Sequence, residues 1–317
     1  MWLRLLNYFN KLLMNNFLLE NEYLLEKPII VFSSGRAGTT VISEILYQHE
    51  DLAWQSNYQE LFPKFAGINY MRRLFDNKLW RIIGENTQNN KSFRNYMMFR
   101  PIERYDFWEA ITGKRINFSR SFLLGEKATA EELEYMRTFF AKMVKYQKRK
   151  RLALKLTGSS RLEYLMSVFP DAQFINLNRD PVAIIRSWLE VNWHEKITEQ
   201  LWWHGTYTPE ELKKAKELSS NKFLFAAMQY KKLEEVKQEE INKLHPDMYI
   251  ASYEEFVKNP HALINNLMQF ANLKPSALVD KYLNKITITN HNERKSASTS
   301  TEITDSIRQQ ILEIINA

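Results

Sequence analysis

Ile29-Ile30-Val31-Phe32, followed at once by Ser33-Ser34-Gly35-Arg36-Ala37-Gly38-Thr39-Thr40, is the stretch that decides the fold. The apolar run reads as a buried strand. Just past the turn, Val41, Ile42, Ile45 and Leu46 recur at helical spacing. A strand that feeds a glycine turn and then a helix start is a backbone device for holding an anion. The first N–H groups of the helix have no intrahelical partner, and the positive end of its dipole points the same way. Gly35 and Gly38 let the chain bend and approach a ligand closely. Arg36 adds a planar cation and the Thr39 and Thr40 hydroxyls add donors, so Ser34 to Thr40 reads as a cradle for a phosphate or sulfate ester. Taken alone, the same turn also fits an α/β domain that binds nothing. It is not an ATP loop of the G-x-x-x-x-G-K-[ST] kind. Thr39 stands where that pattern has Lys, and the cation sits inside the turn as Arg36. A sulfuryl group carries less charge than a phosphoryl group, which side-chain cations can handle without a metal.

A second motif lies further along the chain. Gln173-Phe174-Ile175-Asn176-Leu177-Asn178 reads as a strand, and Arg179-Asp180-Pro181-Val182-Ala183-Ile184-Ile185-Arg186-Ser187-Trp188 as a turn entering a helix. Asp180 suits an N-cap and Pro181 the first helical position. Arg179 then stands at the carboxyl end of the strand, where open parallel sheets bind ligands. Ser187 follows the cap by seven residues, about two turns, and so returns to the same face. An Arg and a Ser there can clamp a phosphate. In isolation the motif also reads as a capped helix with a solvated Arg.

Together the two motifs resemble the cofactor signatures of the sulfotransferases, which use 3′-phosphoadenosine 5′-phosphosulfate (PAPS) and release adenosine 3′,5′-bisphosphate (PAP). Ser34-Gly35-Arg36-Ala37-Gly38-Thr39-Thr40 is similar to the 5′-phosphosulfate loop, in the Arg-bearing version of tyrosylprotein and many bacterial members. The spacing of Arg179 and Ser187 is similar to the family's 3′-phosphate pair. Leu152-Ala153-Leu154-Lys155-Leu156, Val168-Phe169-Pro170-Asp171-Ala172-Gln173-Phe174 and Ser252 to Pro260 follow in family order, so the resemblance spans roughly residues 28 to 300. It implies Arg36 and Lys155 as cations for the departing phosphate, with Glu60 as the base for the acceptor proton and His49 as the runner-up. It also implies Tyr253 on the adenine and Arg294-Lys295 at the 3′-phosphate, although Ser296 replaces the Gly expected after them. The implied activity is transfer from PAPS to a hydroxyl acceptor without a metal; a glycan is favoured, and a lipid, small alcohol or peptide tyrosine stays open. A P-loop kinase using ATP–Mg²⁺ and a non-catalytic nucleotide- or glycan-binding relative are the alternatives.

Composition sets the outer bounds. The chain has 317 residues, 44% of them apolar, with few Gly and Pro (8 and 9), which fits one α/β domain rather than a β-sandwich or a chain of linkers. Without cysteine, thiol catalysis, disulfides and zinc–thiolate sites are excluded. A net charge of +7 suits an anionic cofactor and would also suit nucleic acid or lipid. The basic run Lys142 to Arg151 alternates with Met143, Val144 and Tyr146 and reads as a solvated helix face, and no nucleic-acid module is found.

Strands are expected at 29–33, 152–156, 173–177 and 247–251, each followed by a helical pattern. They describe a central parallel sheet of about four to five strands flanked by helices. The expected layout along residues 1–317 is an amphipathic helix at 1–25, the phosphosulfate-loop unit at 26–50, a helical insertion at 55–150 and the 3′-phosphate unit with the C-terminal part at 151–317. Arg4, Lys11 and Glu20 interrupt every apolar window long enough to span a bilayer in the first 25 residues. That segment is expected to pack on the domain, with membrane-surface contact as the alternative and the cytoplasm as the default location.

Overall fold

The computed structural model of the protein describes residues 16–76, 99–103, 105–190, 197, 200–293 and 303–317, with the Glu60 side chain outside this set. Five strands form one sheet: β1 (Ile29–Ser33), β2 (Leu52–Ala53), β3 (Arg151–Thr157), β4 (Gln173–Asn178) and β5 (Asp247–Ser252). The order across the sheet is β2-β3-β1-β4-β5 and every neighbouring pair is parallel. Four of the strands stand where the apolar runs predict them. The fifth, β2, has two residues, too few to show a period in sequence.

Alternation along the strands explains the layers. Ile29 and Val31 face one core with Ala153, Ile175 and Leu177, whereas Ile30 and Phe32 face the other with Leu152, Leu154 and Phe174. Both faces of the central strands β1, β3 and β4 are covered, so these read as near-continuous apolar runs rather than alternating ones. Burying each large apolar side chain here contributes about 1.5–3 kcal/mol.

On the first face lie α1 (Thr39–Leu46), α5 (Pro181–Leu189), the long α7 (Lys222–Leu244), α9 (Pro260–Phe270) and α10 (Ala277–Leu283). On the second lie α2 (Tyr105–Ile111), α3 (Ala130–Tyr146) and α4 (Leu162–Val168). Further helices are α6 (Pro209–Leu218), α8 (Tyr253–Lys258) and α11 (Asp305–Asn316), with short helical turns at Tyr58–Leu61 and Arg72–Phe75. Between β2 and β3 lie α2 and α3, and between β4 and β5 lie α5, α6 and α7. Phe107 and Trp108 of the first insertion are core, each 1% exposed, whereas Phe62 and Tyr70 face solvent. Of the expected helix at 1–25, residues 1–15 lie outside the described set; residues 16–21 are helical and Glu22–Leu25 form a 3₁₀ turn. Among the described residues, no helix is long and apolar enough to cross a membrane.

Because the strands are parallel and in step, their carboxyl ends share one edge. Ser33 stands opposite Thr157, and Asn178 opposite Ser252. The loop after β1, the end of β3, Arg179 after β4 and Tyr253 after β5 are thereby brought to one crevice.

Candidate active site

The loop after β1 carries three positive φ angles in four residues: 97° at Gly35, 57° at Arg36 and 86° at Gly38, which is the N-cap of α1. Such a run turns successive N–H groups toward one concavity, the geometry that holds anions. Glycine is needed at Gly38 for a second reason. A Cβ there would stand 2.7 Å from Cδ2 of Tyr253. The Gly35 N–H donates to Ser33 Oγ at 3.0 Å, and the Ser34 hydroxyl donates to Glu234 on α7, which is itself paired with Lys237 at 2.6 Å. Ala37 is fully buried under the loop.

The second motif folds as its sequence predicts. Asp180 caps α5 by accepting from the Ala183 N–H at 2.7 Å, and Pro181 takes the first turn. Arg179 and Ser187 then meet the loop directly. Arg179 donates to the Arg36 carbonyl at 2.7 Å, and Arg36 Nε donates to Ser187 Oγ at 2.8 Å. Arg179 also donates to Asn292 Oδ1 at 2.7 Å and lies 4.6 Å above the Tyr253 ring. Tyr253 is only 3% exposed, and its hydroxyl donates to the Thr289 carbonyl at 2.9 Å. Its ring packs against Gly38 and beneath Arg179, with one edge on the crevice.

A different cluster occupies the β3 side. Lys155 Nζ lies 3.1 Å from Thr40 Oγ1 and 3.1 Å from Glu103 Oε2. Glu103 Oε1 accepts from the Tyr105 hydroxyl at 2.7 Å, from the Thr157 N–H at 2.5 Å and from the Thr157 hydroxyl at 2.8 Å. Burial alone pushes the Glu103 carboxyl up; Lys155 and these donors outweigh it and hold the group below the ordinary glutamate value. Glu44, one turn beyond Thr40 on α1, behaves in the opposite way. Its burial dominates and raises the carboxyl, although Tyr282 donates to it at 3.2 Å and Lys155 and Arg100 favour its charge.

These groups border two adjoining cavities. The larger, of about 1090 Å³, reaches from the loop past Trp188, Trp202 and Tyr253 to the segment Ile286–Thr289. The smaller, of about 400 Å³, holds Lys155 and Arg100, and Thr40, Glu44 and Glu103 line both. Ser34, Gly35, Arg36, Gly38, Thr39 and Thr40 all line the larger one.

A sequence model described as the sulfotransferase family matches residues 28–276. The chain belongs to the sulfotransferase family. Two solved sulfotransferases share its fold. STF9 from Mycobacterium avium aligns at 16% identity and a TM-score of 0.51, over 96% of this chain and 80% of that one. STF1 from Mycobacterium tuberculosis H37Rv aligns at 14% identity and a TM-score of 0.54, over 95% and 81%. No curated protein matches the chain.

Within this sulfotransferase, the residues read from sequence fall into three groups. Ser34 to Thr40, Arg179, Ser187, Lys155 and Tyr253 share the crevice. Glu60 lies in the helical turn Tyr58–Leu61, but its side chain is outside the described residues, as are Arg294 and Lys295 altogether. His49 points away, accepting from the Asp51 N–H and facing the Lys274 carbonyl at 2.9 Å. Sequence reasoning missed Glu44, Glu103, Glu234 and Asn292. Glu103, Glu234 and Asn292 reach the site across long loops or from other elements and belong to no local pattern; Glu44, four residues past Thr40 in the same helix, could be found by period. Among the described residues there is no group of three or more acidic or His side chains able to hold a metal.

Proposed function

We propose that this sulfotransferase moves the sulfuryl group of PAPS onto a hydroxyl acceptor. The observation that carries the reading is the direct junction of Arg36 with Ser187 and Arg179, which joins two anion-binding motifs from separate βα units around one cavity. The donor set fits a ligand with phosphates at both ends: a nest of amides with hydroxyls at Thr39 and Thr40, and a guanidinium–hydroxyl pair beside it. Bound there, PAPS supplies an activated sulfuryl group with a phosphate as leaving group. The Ser34–Thr40 loop would hold the phosphosulfate end and Arg179 with Ser187 the 3′-phosphate, with Arg294-Lys295 assigned to that phosphate by the resemblance.

The residues then divide the work. Lys155 brings positive charge to the β3 side, steered by Glu103 and Thr40. Arg36 supplies a second cation from the loop. Cations aimed at a departing phosphate oxygen lower the barrier most where water is excluded. The acceptor hydroxyl loses a proton to a carboxylate. Glu60 has that role by resemblance; of Glu44 and Glu103, the two described carboxylates that line both cavities, Glu44 is the one that burial raises on balance, so it favours taking up a proton. Glu60→Gln and Glu44→Gln, compared by their pH–rate profiles, separate the two: the variant of the true base loses the acidic limb, and the other keeps it. The smaller cavity, lined by Arg100, Glu44, Glu103 and Lys155, suits a polar acceptor such as a sugar hydroxyl.

Incubation with radiolabelled PAPS and fractionated cell extract, followed by identification of labelled product, tests the activity. A thermal-shift comparison of PAP with ATP–Mg²⁺ tests the donor. Stabilisation by ATP–Mg²⁺ alone would support the kinase reading, and PAP binding with no transfer across a broad acceptor panel the non-catalytic one.

A further inference from the structure

Nine large apolar side chains are exposed among the described residues, and seven of them fall in two short segments. One segment holds Leu19 and Tyr23; the other holds Leu61, Phe62, Phe65, Tyr70 and Leu74. Both segments dock on the same helix, α3. Phe17 lies under the ammonium groups of Lys142 and Lys145, at 5.2 and 4.9 Å, and Arg137 pairs with Glu22 at 2.7 Å. On the other side Tyr70 stacks on Tyr146 at 4.3 Å, Arg73 donates to the Tyr146 carbonyl at 2.6 Å, and Tyr135 donates to the Lys64 carbonyl at 3.4 Å. The result is a face with α3 along its middle and apolar side chains on both flanks, whereas elsewhere among the described residues only Leu212 and Ile250 are so exposed. Exposed clustering of this kind marks an interaction surface.

The charges on this face select the occupant. Lys64, Arg73 and Lys145 are exposed among the aromatic and leucine side chains. Glu20 and Glu22, with Glu131 and Glu134 near the start of α3, are the acids beside them, and Glu22 is taken up by Arg137. A second copy of the chain, meeting this face with the same face, would set cations against cations. Anionic headgroups would neutralise them, while Tyr and Phe at headgroup level and lysines reaching outward are the side chains that interfaces favour. We propose that this face, built by residues 17–23, 61–74 and the outer side of α3, seats the protein on the surface of an anionic phospholipid bilayer. The inner side of the same segment supports the catalytic crevice. Tyr58 and Phe75 stack with Phe99, beside Pro101 and Arg100 of the cavity wall. A bilayer-seated protein would therefore hold that wall close to acceptors carried by lipid.

The test is sedimentation of the full chain with vesicles of phosphatidylcholine, alone and with about 30% phosphatidylserine. Binding is expected only to the anionic vesicles, and weaker in high salt. Phe62→Ser/Phe65→Ser/Leu74→Ser should lower binding about tenfold or more. Lys64→Glu/Lys145→Glu should remove the preference for phosphatidylserine, and melting temperatures near that of the wild type would show that both variants fold. Absence of vesicle binding by the wild type overturns the proposal. So does a chain lacking residues 1–15 that no longer binds while both variants bind normally, which would place the contact in that segment. Light scattering that finds a dimer dissolved by the triple substitution, with no vesicle binding, would assign the face to a second copy instead. None of these readings depends on sulfuryl transfer, so their failure and the failure of the proposed activity remain separate.

Discussion

The loop end and the β3 end of the crevice are built by different means. At the loop, most of the chemistry is backbone: three left-handed residues, a helix start, and glycine where the Tyr253 ring leaves no room for a Cβ. At β3 the chemistry is side chain: Lys155, Glu103, Tyr105 and Thr157 satisfy one another in a buried network. A backbone site tolerates exchange of the groups around it and fails when its dihedrals change. A side-chain network fails when one partner is removed and the rest are left charged and dry.

Substitutions can break or sharpen that contrast. The largest effect is expected from Arg36→Ala, which should cost about 10²- to 10³-fold in transfer rate at saturating PAPS. Its melting temperature should barely move, because the side chain is exposed. Equal turnover would remove Arg36 from the mechanism. Next is Gly38→Ala, which adds a Cβ against Tyr253 at a positive φ and should cost about 2–3 kcal/mol, read by denaturant titration. If Gly38→Ala is as stable as the wild type, the backbone account of the loop is wrong.

Glu103→Gln should destabilise by about 1–3 kcal/mol at neutral pH, since Lys155 loses its partner. The sign with pH follows from the lowered Glu103 carboxyl. Its contribution is present above the ordinary glutamate value and is lost as pH falls through the folded one. The gap in melting temperature between wild type and Glu103→Gln should therefore close in acid, and a gap that widens would contradict the pairing. Arg179→Lys should weaken PAP about tenfold, by calorimetry, since a point charge replaces a planar fork that also anchors Asn292. The smallest effect belongs to Tyr105→Phe, about 1 kcal/mol for one hydrogen bond to Glu103.

The same contrast explains what could be read from sequence. β1, β3 and β4 were legible because burial on both faces writes an apolar run, the edge strand β5 only by its short run Met248–Ala251, and Asp180-Pro181 because caps have their own residue preferences. The loop was legible because glycine spacing reports dihedrals. The two residues of β2 carry no period, and their pairing with Arg151 and Leu152 is set by the rest of the sheet. Glu103, Glu234 and Asn292 were illegible for a related reason. Their partners are chosen by tertiary packing, so nothing near Glu103 announces Lys155. The contact of Arg36 with Ser187 lies between: each motif was visible, while their handshake needed the parallel register of β1 and β4.

That handshake also bears on biosynthesis. Ser34 waits for Glu234, Arg36 for Ser187, and Arg179 for Asn292. A ribosome that has released only the first half of the chain has made the glycine loop but not the grip, and the full set of contacts closes only after Asn292 has emerged. Those contacts are thus a readout of the finished fold, and a nascent fragment that ends before Asn292 lacks the grip that closes the loop.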